Sequence, residues 1–162
     1  SYTIRDGGIK DLRIEKADLS LVPLEMYGGK SCYTIHVPGV FEQEGEFFAV
    51  SSIGECFLKN KTVTGSAVTA SGSVISGMEN GPVVVDFSDT SLKEIPAYAF
   101  AGEKEKGGYT GVERLAGVTG LDQVESVGSL AFYNCSGISF VSLPSCRTIG
   151  ASAFQRSGIR YF

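Results

Sequence analysis

The 162-residue chain has no tryptophan, one histidine, two methionines, five prolines and four cysteines. With a single His and no C-x-x-C spacing among Cys32, Cys56, Cys135 and Cys146, no zinc ligand set can be assembled, and neither a metal nor a cofactor is expected. Charged residues make up 20% of the chain, 18 acidic against 14 basic, for a net charge of −4. That balance lacks the basic surface from which counterion release draws nucleic-acid affinity, so no DNA or RNA partner is expected. No apolar run approaches the ~20 residues of a membrane span and no secretory leader pattern opens the chain, so no membrane insertion is expected. Tyr161-Phe162 falls in mid-pattern, as expected of a piece of a longer array. Helical periodicity is missing too, since no stretch beyond about ten residues keeps a clean period of 3.6.

What is abundant is glycine, at 21 residues, with scattered Ser and Thr and aromatic residues in short clusters. This composition predicts many short strands separated by turns within one domain. A domain of this size buries roughly 68–70% of its unfolded surface and can build a core without staples.

An internal repeat organises those strands. Val22-Pro23-Leu24-Glu25-Met26-Tyr27, Ile95-Pro96-Ala97-Tyr98-Ala99-Phe100, Val127-Gly128-Ser129-Leu130-Ala131-Phe132 and Ile149-Gly150-Ala151-Ser152-Ala153-Phe154 share one shape. Each is a β-branched residue, a Pro or Gly, two variable positions, a slim residue, then an aromatic. Ile53-Gly54-Glu55-Cys56-Phe57 is a copy one residue shorter. The aromatics Tyr27, Phe57, Phe100, Phe132 and Phe154 are 30, 43, 32 and 22 residues apart. A unit of about 22 residues, sometimes doubled and sometimes enlarged by an insertion, accounts for those intervals.

Ahead of the aromatic motifs lie strands with apolar residues at positions 1, 4 and 6: Ile9-Leu12-Ile14, Cys32-Ile35-Val37, Val112-Leu115 with Gly117 third, and Ile138-Val141-Leu143. Pro82-Val85-Phe87 is a looser version, and residues 11–29 superpose on residues 84–102 without a gap. The strand trio and the aromatic are expected to fill one interior, with Pro or Gly turning the chain and the slim residue letting a short helical turn lie close to the core. One unit cannot bury that face alone, so neighbours must stack. An ordinary β-sandwich is the competing reading, disfavoured because sandwiches do not repeat a mixed strand-plus-turn unit.

The run from Val127, with Ala131-Phe132-Tyr133-Asn134-Cys135, Val141-Ser142-Leu143-Pro144, Ile149-Gly150 and Ala153-Phe154, resembles the BspA-like leucine-rich-repeat family. The resemblance is close in the last two units, holds around Val22 and Ile95 with Pro for Gly, and fades over residues 62–81. It implies a β-rich α/β fold: a right-handed leucine-rich-repeat solenoid with a curved parallel sheet on its concave face and short helical turns and loops on its convex face. The 162 residues are then a single domain of about six turns of ~22 residues, with insertions near 39–48 and 103–111. The resemblance also implies an extracellular or cell-surface protein, active in adhesion and binding a host or bacterial surface protein.

Little in the sequence carries chemistry. The strand register points His36 outward, and no G-x-S-x-G or other nucleophile signature accompanies it. Glu42/Glu44 and Glu103/Glu105 lie in the insertions beside glycines, without the fixed separation glycoside hydrolysis needs. Gly117-Val118-Thr119-Gly120 makes no phosphate-binding pattern. No enzymatic activity is expected. The cysteines read as free buried thiols, with a single bridge as the alternative.

A binding face is expected on the outward strand positions, where Tyr33, His36, Arg114, Phe140 and Tyr161 are the candidate ligand-binding residues, rich in the aromatic and Arg anchors that dominate interfaces. The three Phe of residues 39–48 also call for a cover, and insertions in repeat proteins often flank the binding face. The expected function is a non-catalytic protein-interaction or adhesion module. The alternative is a carbohydrate-binding or purely structural spacer module, with Tyr33 and Phe140 as sugar-stacking residues. Oligomeric state is left open by the sequence.

Overall fold

The short clusters of β-branched and aromatic residues form strands, as their propensities favour. The computed structural model describes residues 2–4, 10–14, 23–27, 30–58, 67–69, 74–75 and 81–160. Their strands in chain order are β1 (Tyr2–Ile4), β2 (Lys10–Ile14), β3 (Pro23–Tyr27), β4 (Lys30–His36), β5 (Val40–Gln43), β6 (Glu46–Ile53), β7 (Ala67–Thr69) and β8 (Val74–Ile75), followed by β9 (Val83–Asp86), β10 (Glu94–Ile95), β11 (Lys104–Glu105), β12 (Gly108–Tyr109), β13 (Leu115–Thr119), β14 (Ser126–Val127) and β15 (Thr148–Ile149). They make a six-stranded sheet in the order β13-β9-β4-β3-β7-β8, a four-stranded sheet β1-β2-β6-β5, a three-stranded sheet β10-β14-β15 and the hairpin β11-β12.

This architecture corrects the expected right-handed leucine-rich-repeat solenoid. The described residues contain no helix, and the strands divide among separate sheets, two of which mix parallel and antiparallel pairs. Two physical reasons account for the difference. First, successive strands fold back on one another where a repeat array requires them to run parallel. β3 pairs antiparallel with β4 from Leu24↔Tyr33 to Tyr27↔Lys30, and the sequence between the last pair is Gly28-Gly29, a strong hairpin signal. Residues 23–27 are thus strand, although they match the aromatic turn motif. β5 and β6 pair antiparallel around Glu44 and Gly45, both at positive φ (53° and 80°), so the insertion at 39–48 is a β-hairpin. The second insertion folds likewise, as β11 and β12.

Second, the turn segments spend their backbone groups sideways. Phe100 N–H donates to Ala131 O and Phe132 N–H to Ala153 O, each at 2.7 Å, while Tyr98, Leu130 and Ser152, at the same place in each motif, sit at φ of 55–60°. A left-handed residue and a lateral donor cannot belong to a helical turn. The glycine of the motif also has another role than turning the chain. A Cβ on Gly128 would lie 2.2 Å from Ala97 N, and one on Gly150 2.4 Å from Ser129 N, so glycine admits close approach of the neighbouring backbone.

Within this all-β arrangement the repeated aromatics do meet. Phe100 and Phe132 stack at 5.1 Å and Phe132 and Phe154 at 5.0 Å, with Phe57 edge-on to Phe100 at 6.1 Å. Phe87 joins the column against Phe57 and Phe100, and Ile95, Leu115, Leu121, Val127 and Ile138 complete a core of fully buried side chains. The parallel pairs Ile95↔Val127 and Val127↔Ile149 hold the three aromatic motifs in register.

Candidate interaction surface

Of the five residues chosen from the sequence the structure describes four; it brings Tyr33 and Arg114 together and sets His36 and Phe140 apart from each other. Parallel pairing of β4 with β9 sets His36 beside Asp86, and His36 Nδ1 lies 3.0 Å from Asp86 Oδ2. Asp86 Oδ1 accepts from the Ser88 amide, the Ser88 hydroxyl and Thr119 Oγ1. Burial alone would raise the Asp86 pKa, but the Ser88, His36 and Thr119 hydrogen bonds outweigh it and hold the carboxyl below its ordinary value. His36 remains 54% exposed at its side chain. It lies at the end of a polar row, His36–Asp86–Thr119, across three strands.

Tyr33 corrects the expectation of an outward aromatic, since it is fully buried. The register places it opposite Val83, itself fully buried, and Arg114 caps it with the guanidinium 5.7 Å from the ring centroid. Arg114 Nε donates to Gly81 O, and burial lowers the Arg114 pKa despite its interaction with Tyr33. Arg114 therefore holds strand ends together. The neighbouring pair Thr34↔Val84 is buried as well. Phe140 is 51% exposed, beside the Val118↔Val141 bridge at the β13 edge of the sheet. Tyr161 lies outside the described residues. Of the four described, only His36 and Phe140 are exposed, and β9 and β13 stand between them. The pairing of Tyr33 with Phe140 for sugar stacking does not form.

Among the described residues, three of the five exposed large hydrophobic side chains lie instead on the β5-β6 hairpin, the others being Phe140 and Ile149. Val40 is 59% exposed, Phe41 39% and Phe47 49%. Val40 and Glu42 share one face with Ala49 and Phe47, while Phe41 and Gln43 share the other with Phe48 and Glu46. On the second face Lys10 of β2 lies over the Phe48 ring at 5.3 Å and pairs with Glu46, anchoring the hairpin to the sheet. Gly39 fits against the Asp89 carbonyl with no room for a Cβ, which fixes the root of the hairpin. The three Phe of residues 39–48 signal this element in the sequence, whereas its hairpin geometry is carried by the turn pair Glu44-Gly45.

Cys32, Cys56 and Cys135 are buried free thiols and Cys146 is a half-buried one. Among the described residues no group of three or more His, Cys, Asp or Glu side chains is arranged for a metal, and no helix is long and apolar enough to cross a membrane. A polar groove of about 460 Å³ runs past Lys93, Glu125, Cys146 and Arg147, and none of the five predicted residues lines it. No family model matches the chain, and neither curated proteins nor solved structures give a match.

Proposed function

We propose that the chain is a non-catalytic protein-interaction module and that the β5-β6 hairpin is its contact element. The observation that carries this reading is the exposure of Val40, Phe41 and Phe47 on one rigidly rooted hairpin. Val40 and Phe47 lie on one face of the hairpin and Phe41 on the other, so both faces offer exposed apolar side chains, and aromatic residues are enriched at interfaces. The anchoring of the hairpin by Lys10 and Gly39 supports binding with little ordering cost, since the element is held in shape before a partner arrives. Phe140, beside the Val118↔Val141 bridge next to β13, is exposed on a different element from β5 and β6.

The test is retention of extracellular proteins on the immobilised domain, native against the double variant Phe41→Ser/Phe47→Ser. Both side chains are partly exposed and lie outside the core, so the variant is expected to remain folded, which circular dichroism checks. A partner held by the native domain and lost from the folded variant supports the reading. A partner held equally by both, or lost on Phe140→Ser alone, overturns it.

A further inference from the structure

Resting on that reading of the hairpin, we infer that β5 recruits its partner by strand addition, and that the partner segment is extended, with a basic residue followed by two β-branched or aromatic residues. β5 is the outer strand of its sheet, with β6 as its one partner among the described residues. The Val50 amide donates to Gly39 O, which makes Gly39 and Val50 a hydrogen-bonded pair of the antiparallel ladder. Alternation then makes Phe41↔Phe48 and Gln43↔Glu46 the next bonded pairs, and turns the N–H and C=O groups of Val40 and Glu42 away from β6. These outward backbone groups form a short docking edge of the kind that extended peptides complete.

The side chains beside that edge define what would dock. A strand added antiparallel places successive residues opposite Glu42, Phe41 and Val40. Opposite Glu42 the carboxylate selects a Lys or Arg, and Glu44 at the turn adds a second negative charge at that end. Lys10 compensates Glu46, so Glu42 and Glu44 supply the field that the partner meets. Opposite Phe41 and Val40 a β-branched or aromatic residue covers apolar surface that is now in water. An acidic segment, by contrast, is repelled by Glu42 and Glu44.

The probe is the capped peptide Lys-Thr-Lys-Tyr-Val-Thr-Lys, titrated into the full chain by fluorescence anisotropy. Its counterpart has Glu at the three Lys positions, and a third form carries a backbone N-methyl on Val. We expect the basic peptide to bind at least about tenfold more tightly than the acidic one, and Glu42→Lys to invert that order. N-methylation is expected to weaken binding by at least about tenfold, because it removes a donor to the β5 edge. Val40→Pro is expected to do the same: its lost N–H points outward, so the ladder to β6 is kept. The N-methyl peptide makes the same comparison on native protein, should that variant not fold. Binding weaker than about 1 mM overturns the inference. Binding indifferent to N-methylation but lost with Phe41→Ser/Phe47→Ser also overturns it, while leaving the hairpin as a side-chain contact surface. A concentration-dependent dimer in sedimentation that Val40→Pro abolishes would make the occupant a second copy of the chain, against the basic segment inferred here.

Discussion

Replacing Phe132 by Ala removes the middle ring of the column that joins the repeated motifs. The ring is fully buried, stacked on Phe100 at 5.1 Å and interplanar 13°, and on Phe154 at 5.0 Å and 8°. Truncation deletes both stacking contacts and leaves a cavity whose walls are backbone-locked, since Phe132 N–H is tied to Ala153 O and Phe100 N–H to Ala131 O. Phe→Ala in such a core costs about 3–5 kcal/mol, and a site that cannot collapse falls toward the upper end. At roughly 2–4 °C per kcal/mol for a domain of this size, the melting temperature should fall by about 6–20 °C. Urea unfolding followed by far-ultraviolet circular dichroism and tyrosine fluorescence, which the seven Tyr provide in the absence of Trp, measures it. The midpoint should drop without a change of slope, because the surface exposed on unfolding is nearly the same. Phe132→Leu should cost less than about half as much, as it refills most of the volume. An unchanged midpoint for the Ala variant would refute the stacked column and the inward placement of the aromatics.

Other outcomes follow from different parts of the molecule. Gly128→Ala should destabilise by more than about 2 kcal/mol, seen as a lower urea midpoint, because its Cβ would sit 2.2 Å from the Ala97 amide nitrogen and one backbone must move. The depressed Asp86 carboxyl contributes stability that is fully present above its ordinary value of 3.8 and lost as pH falls through its lower folded value. The stability lost in Asp86→Asn should therefore be smaller in that acid window than above it, as pH-dependent urea midpoints would record. Burial pushes the Cys135 thiol up to about 12. Iodoacetamide on the native protein at mildly alkaline pH should label the half-buried Cys146 first and leave Cys135 unmodified until unfolding, read by mass spectrometry.

The aromatic column was legible before any coordinates, because Phe57, Phe100, Phe132 and Phe154 recur behind a slim residue, Cys56 or an Ala, and in the structure the first three are fully buried and Phe154 half-buried. The partners of each strand were less so. Residues 23–27 carry the same pattern as residues 96–100, yet the former pair with β4 as a hairpin strand and the latter form a turn. A twofold pattern match cannot decide between them when Gly28-Gly29 follows one copy and Ala101-Gly102 the other; the turn chemistry decides. The absence of helix among the described residues was hidden for a related reason: slim residues suit a helical turn, but Tyr98, Leu130 and Ser152 sit at positive φ, and the Tyr98 and Leu130 amides donate to the neighbouring motif, at Ser129 O and Ala151 O. Tyr33 shows why outward positions are the hardest to read. Tyr33 lies two residues from Ile35, on the same face of β4, and joins the core that Val37 enters, with Arg114 over its ring.

Amide shift mapping of the isotopically labelled chain with the basic heptapeptide tests the account most directly. The account predicts saturable shifts centred on Val40 and Glu42, the residues whose backbone groups face away from β6, with smaller ones at Phe41 and Phe47. Shifts centred on His36 or Phe140, or none at peptide concentrations up to about 1 mM, would contradict it.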